Sequence, residues 1–183
     1  NWWDPNYLIY ANPAYQGSVQ NALIPYTITA SNQSPTGAAS VGVCVSPDPY
    51  ASAPEGGNCL RAVTAMYANA TNDYPYFLSC SDTIVDEPTQ ANNDEFNLAW
   101  QVGGSYWLRI QQTIDTNPAT DGNPGGIVSV KAWAGDGSQP EPANWQYEWK
   151  DPSGVTRSGY AAIRAGYGQG VIMDFDVDYF LVI

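Results

Sequence analysis

The sequence predicts an all-β chain folded as an antiparallel sandwich or barrel, and three observations lead there. Its apolar segments are short and rich in Val, Ile, Tyr and Trp. They are separated by runs of Asn, Asp, Gly, Pro and Ser, and no segment carries the three-and-four spacing of an amphipathic helix. The 17 glycines and 14 prolines are spread along the whole length, as many turns require.

Taken in order, the expected strands are LIPYTITA (23–30), VGVCVS (41–46), NCLRAVTAMYA (58–68), YPYFLSC (74–80) and EFNLAW (95–100). SYWLRIQQT (105–113), GIVSVKAWA (126–134), NWQYEWK (144–150), GYAAIRA (159–165) and VIMDFDVDYFLVI (171–183) follow. Between them SNQSPTG, SPDPYASAPEGG, ANATND and DTNPATDGNPGG supply the residues that favour turns. About ten strands at hairpin spacing, without helical linkers, point to one two-sheet domain over residues 1–183. Residues 1–20 stand apart as a docking or irregular N-terminal segment. In the last strand, alternation puts Met173, Phe175, Val177 and Tyr179 on one side, toward the core, and Asp174, Asp176 and Asp178 on the other.

At 183 residues, 44% hydrophobic, the chain is long enough to bury a substantial core. Charge is sparse and lopsided: 18 acids against 6 bases, net −12, with a pI of about 4.1. Such a surface repels phosphate backbones and anionic lipid, which disfavours nucleic-acid and membrane-surface binding. No apolar run approaches the length of a membrane-spanning helix, so membrane insertion is not expected. The chain opens at Asn1 without a signal-like apolar run, as in a processed protein, an excised domain or a portion of something longer. There is no histidine, which removes Ser-His-Asp and Cys-His catalysis and the usual zinc ligands.

The three cysteines, Cys44, Cys59 and Cys80, match no close-spaced metal pattern. If the loop between VGVCV and NCLRAV centres near Ala51 and Ser52, Cys44 and Cys59 lie opposite one another in a hairpin. A cross-strand disulfide between them is one reading and two buried thiols the other; Cys80 is left over.

The order of the C-terminal segments, YWLRIQQT, VSVKAWAGDGSQPEPANWQ, SGYAAIRAG and DFDVDYFLV, resembles the laminin-G-like branch of the concanavalin A-like jelly rolls. The residues that carry the resemblance are Trp133, Gly135, Asp136, Glu141, Pro142, Trp145, Gly159, Tyr160 and Asp176, within roughly 105–183. The N-terminal NWWDPNYLIYANPAYQGS is unlike the usual opening strand of that family. The resemblance implies a two-sheet antiparallel β-sandwich of concanavalin A-like jelly-roll type. It also implies a setting among secreted glycan-binding proteins, accessory parts of polysaccharide-degrading enzymes, or phage tail and capsid-decorating proteins.

Trp133, Trp145 and Trp149 surround the polar loop GDGSQPEP and form one candidate carbohydrate-binding platform. Trp145 and Trp149, four apart, would share a strand face and could equally cap the core, and the family turn uses Trp145 to pin the loop. Trp2, Trp3, Tyr7 and Tyr10 form a second aromatic cluster, suited to docking on a partner. Asp174, Asp176 and Asp178, together with Asp121 and Asp136 beside Gly turns, offer hard oxygen ligands for calcium; alternatively they simply cover the solvent face of an acidic chain. Arg109, Arg164 and Arg61 are expected to pair with acids. Asp174 and Asp176 stand about 7 Å apart along a strand, but the Glu-x-Asp-x-x-Glu strand motif of one major type of jelly-roll glycosidase is absent, so no catalytic residue is expected. These features point first to a noncatalytic structural or adhesion module, with other subunits of a virion or extracellular assembly as partners and a location outside the cell or on a virion surface. The alternative is a lectin-like module that binds a cell-surface glycan.

Overall fold

Strict alternation of buried and half-buried residues in SYWLRIQQTI marks the strand at the centre of the molecule, Ser105–Ile114. The computed structural model describes residues 6–31, 36–45, 59–67, 74–80, 102–115, 125–150, 158–167 and 173–183. Within these the strands are β1 (Asn6–Tyr10), β2 (Gln20–Ser31), β3 (Thr36–Val45), β4 (Cys59–Tyr67), β5 (Tyr74–Cys80) and β6 (Ser105–Ile114). They continue with β7 (Gly126–Ala134), β8 (Tyr147–Lys150), β9 (Tyr160–Tyr167), β10 (Met173–Val177) and β11 (Leu181–Val182). A single 3-10 turn at Pro13–Tyr15, capped by the Asn12 side chain, is the one helical element among the described residues. The expected strand at 95–100 lies outside the described residues.

Two antiparallel sheets result. One runs β1-β9-β3-β4-β5; the other runs β10-β2-β6-β7-β8, with β11 adding to β2 beyond β10. The chain passes repeatedly from one sheet to the other, so β2 and β9 are each flanked by strands distant in sequence. This is a jelly-roll β-sandwich. Strand β1, within the N-terminal segment 1–20, is an edge strand among the described residues and pairs with β9 from Asn6↔Ala165 to Tyr10↔Ala161. Beyond it, Gly17 and Gly159 exchange backbone hydrogen bonds and tie the start of the chain to β9.

The core lies between the sheets. Ala22, Ile24, Tyr26 and Ile28 of β2, Leu108 and Ile110 of β6, and Val128, Val130 and Ala132 of β7 meet Val43, Ala161 and Ile163 from the other sheet. Removing each large aliphatic side chain from water contributes about 1.5–3 kcal/mol. Two amides are buried at the margin of this layer. Gln20 donates from Nε2 to the carbonyls of Tyr15 and Gly159, and Gln112 donates to the carbonyl of Ser18.

The C-terminal run is not one strand. Its register against β2 shifts between Asp174 and Phe175, and pairing stops at Val177 before resuming at Leu181. The break offsets the alternation. Val177 packs against the core as expected, but Phe180 and Val182 join it there and Tyr179 is turned outward, 49% exposed.

The burial pattern sets a contrast that unfolding can measure. Leu108→Ala removes a fully buried side chain and should cost about 3 kcal/mol in chemical denaturation. Leu8→Ala, on the edge strand at a position 66% exposed, should cost under about 1 kcal/mol.

Candidate functional site

Because Tyr106, Leu108, Ile110 and Gln112 point into the sandwich, Trp107, Arg109, Gln111 and Thr113 point out of it. The register then dictates their neighbours. On β2 these are Pro25 beside Trp107, Leu23 beside Arg109 and Asn21 beside Gln111. On β7 they are Trp133, Lys131 and Ser129 in the same order. One outer face of the six-stranded sheet therefore carries an aromatic end and a polar strip.

At the aromatic end, the cross-strand pair Trp107 and Trp133 is stacked, with ring centroids 5.7 Å apart and planes 5° from parallel. Tyr179 meets Trp107 edge-on at 5.9 Å. Trp133 is 5% exposed, whereas Trp107 is half-buried and Tyr179 open. Beside Trp107 a shallow dent of about 100 Å³ is lined by Pro25, Thr27, Ser105, Trp107 and Asp178. The hydroxyls of Thr27 and Ser105 lie 2.8 Å apart on its floor strands, and Asp178 is exposed at its rim. Each hydroxyl keeps lone pairs for a further hydrogen bond.

The polar strip is an ion cluster that holds down the loop between β7 and β8. Oε1 of Glu141 accepts from Arg109 Nη1 at 2.6 Å and lies 2.7 Å from Lys131 Nζ. Lys131 also donates to the Pro142 carbonyl at 3.0 Å, and its ammonium sits over the Trp145 ring, 4.6 Å from the centroid. Arg109 lies 5.9 Å from the same ring. Its Nε donates to Asn21 Oδ1, and Asn21 in turn donates to Gln111 Oε1. Partial burial raises the Glu141 pKa, but the hydrogen bonds and positive charges of Lys131 and Arg109 outweigh it, so the carboxyl is held below its ordinary 4.5.

The loop's own sequence allows this geometry. A Cβ on Gly135 would come within 2.9 Å of the Ser105 carbonyl carbon and the Tyr106 nitrogen, so the chain can bend against β6 only with glycine there. Gly137 takes φ +80°, and the Asp136 carboxylate accepts from the Ser138 amide at 2.8 Å. The hydroxyl and amide of Ser138 keep the Asp136 carboxyl below its usual value. The loop returns to β7 through Gln146, whose amide donates to Val130 and whose Oε1 accepts from Ala132.

The three tryptophans that the sequence grouped lie on β7, on the loop after it and on β8. Trp133 is buried in its stack with Trp107, Trp145 is a loop residue lying across Lys131, and Trp149 is in β8 opposite Val128. Strand β8 begins at Tyr147, so Trp145 and Trp149 do not share one strand. Trp107, not singled out from sequence, and Tyr179, expected on the core side, supply accessible aromatic surface on this face; the alternation of YWLRIQQT was the available signal for Trp107. Tyr10 packs against Tyr15 and Phe180, Tyr7 sits in β1 opposite Arg164, and Trp2 and Trp3 lie outside the described residues. Asp176 and Asp178 are exposed, Asp174 occupies β10 opposite Ala30, and Asp121 is outside the described residues. Among the described residues no three acidic or thiol groups converge in the manner of a metal site. Cys44 follows Val43, the last β3 residue in register with β4, while Cys59 has Cys80 as its Cα partner. Arg109 does pair with an acid, Glu141.

The ion cluster carries a signed pH dependence. Because the folded-state pKa of Glu141 is lowered, its stabilisation is fully present above about 4.5 and is lost as pH falls through the folded value. Glu141→Gln should lower stability by about 1 kcal/mol at pH 7, modest because the carboxylate is 39% exposed. It should also flatten the pH dependence below 4.5, as read from urea unfolding at a series of pH values.

No family model matches the chain, and no curated protein matches it. Similarity is found to solved structures of sandwich proteins. The carbohydrate-binding module CBM66 from Bacillus subtilis is 12% identical, with a TM-score of 0.49 over 93% of this chain and 81% of that one. A tetrameric galectin from the ball sponge Cinachyrella sp. is 11% identical, with a TM-score of 0.46 over 97% of this chain and 98% of that one. The lectin UEA-II, solved with galactose, is 10% identical, with a TM-score of 0.43 over 97% of this chain and 78% of that one.

Proposed function

We propose that this chain is a noncatalytic, lectin-like module that binds a neutral glycan on the outer face of its six-stranded sheet, outside the cell. The observation that carries the reading is the dent beside Trp107, where an aromatic wall meets the Thr27 and Ser105 hydroxyls and the Asp178 carboxylate. A sugar ring has the matching surface. Its C–H-rich face packs on an aromatic ring, and its hydroxyls exchange hydrogen bonds with side-chain oxygens at the rim. The open Tyr179 ring extends this surface to a neighbouring sugar unit.

Electrostatics restrict the ligand class. On this face Arg109 and Lys131 are bound to Glu141, and the exposed charges beside the dent are Asp178, which lines it, and Asp176, opposite Thr27. With a net charge of −12 behind them, these acids repel uronate and sulfated glycans. The same cluster argues against hydrolysis. Glu141, the acid nearest the strip, is held ionised by two cations and is unsuited to donate a proton near neutral pH.

A second reading, adhesion within a virion or other extracellular assembly, has its own observation. Edge strand β1 leaves Leu8 exposed, and Tyr10, Tyr15 and Val19 are exposed nearby in the chain. An uncovered β edge with apolar side chains is suited to docking on another subunit. Light scattering separates the two readings: a stable oligomer that dissociates in Leu8→Asp supports assembly, and a monomer in both forms removes it.

Titration calorimetry with neutral and uronate oligosaccharides, with and without calcium, tests the primary reading. A neutral oligosaccharide should bind, and Trp107→Ala and Tyr179→Ala should each weaken binding about tenfold, the scale of one lost aromatic contact. Equal affinity for uronates, or unchanged binding in both folded variants, would overturn the proposed site.

A further inference from the structure

The three cysteines are in adjacent strands of the five-stranded sheet, on β3, β4 and β5. Strands β4 and β5 pair without a register shift from Ala65↔Tyr74 to Cys59↔Cys80, so the first residue of one faces the last of the other. Directly opposed residues in an antiparallel pair have Cα atoms about 4.5 or 5.5 Å apart. Disulfides span Cα separations of about 4.4–6.8 Å. Cys44 is placed differently. The pairing of β3 with β4 ends at Val43↔Leu60, and the pairing of β3 with β9 shifts register between Gly42 and Val45. One further step in the β3–β4 register would set Cys44 opposite Cys59, but that ladder ends one pair short of it and β3 shifts against β9 at the same place, whereas Cys59↔Cys80 is a paired position of the β4–β5 ladder.

We propose that Cys59 and Cys80 form a disulfide and that Cys44 remains a thiol. The bond closes the open end of the β4–β5 hairpin, opposite the connection between Tyr67 and Tyr74. Strand β5 needs such a tie more than its neighbours. Among the described residues it is an edge strand paired with β4, and its Pro75, opposite Thr64, has no amide hydrogen to give the ladder. Closing the loop from 59 to 80 also restricts the unfolded chain.

The oxidation is a thiol–disulfide exchange with a small-molecule disulfide such as oxidised glutathione. One protein thiolate attacks the reagent's S–S bond and expels one glutathione thiolate; the second protein thiolate then displaces the other. Two S–H bonds break, one protein S–S bond forms, and the two electrons reduce the glutathione disulfide to two thiols.

Refolding with oxidised and reduced glutathione, alkylation of remaining thiols and non-reducing peptide mapping by mass spectrometry test this pairing. The expected product links the peptides containing Cys59 and Cys80 and carries alkylated Cys44. In Cys44→Ser the same link should form, and reductant should lower the unfolding temperature of that variant as it does that of the unaltered chain. Overturning results are a main product in which Cys44 is linked, alkylation of all three cysteines, or an unfolding temperature in Cys44→Ser that reductant leaves unchanged.

Discussion

One carboxylate organises the outer face of this sandwich. Glu141 brings its Oε1 within 2.7 Å of both Arg109 and Lys131, and through them fastens the twelve-residue excursion between β7 and β8 against two strands. A lysine ammonium that is nearly buried is expensive unless its charge and donors are met. Here the carboxylate, the Pro142 carbonyl and the Trp145 ring meet them together. With the loop in place, Arg109 and Lys131 are taken up by contacts within the protein, and the dent opens beside Trp107.

That surface beside Trp107 owes its shape to a defect in the sheet. Had β10 continued in register to the end of the chain, the alternation would have turned Tyr179 inward and left the Trp107 end flat. The interruption between Val177 and Leu181 sends Phe180 to the core and Tyr179 to the face, where it stands across Trp107. Site and irregularity therefore coincide, as they do where strand edges are bent to re-aim a side chain.

Much of the fold was legible because period two is a strong signal. The central strands were recoverable nearly to the residue, since YWLRIQQT and GIVSVKAWA lie between unmistakable turns. Strand β1 was missed because NYLIY is embedded in Trp, Asn and Pro, and its pairing partner is over a hundred residues away in β9. The site was less legible for a related reason. Nothing local in DYFLVI announces that the strand breaks, so Tyr179 was read as a core residue. The tryptophans near the GDGSQPEP loop drew attention through their number; Trp133 stacks on Trp107, and Trp145 lies across Lys131 and Arg109. The pairing of Arg109 with an acid was readable from the scarcity of bases; that the acid is Glu141 follows only from the loop's return across β6.

The two buried glutamines have a consequence for folding rather than for binding. Along β2 and β6 a slip of two residues would keep every apolar side chain on its proper face, so alternation alone does not forbid it. Gln20 and Gln112 do. Each sends its amide to backbone carbonyls that exist at one position only, those of Tyr15, Gly159 and Ser18. A slipped sheet would strand those amides out of water at a cost of about 1–3 kcal/mol each. Misaligned sandwiches with an intact greasy interior are thereby made unfavourable, and the two polar side chains act as alignment pins for strands that hydrophobicity would let slide.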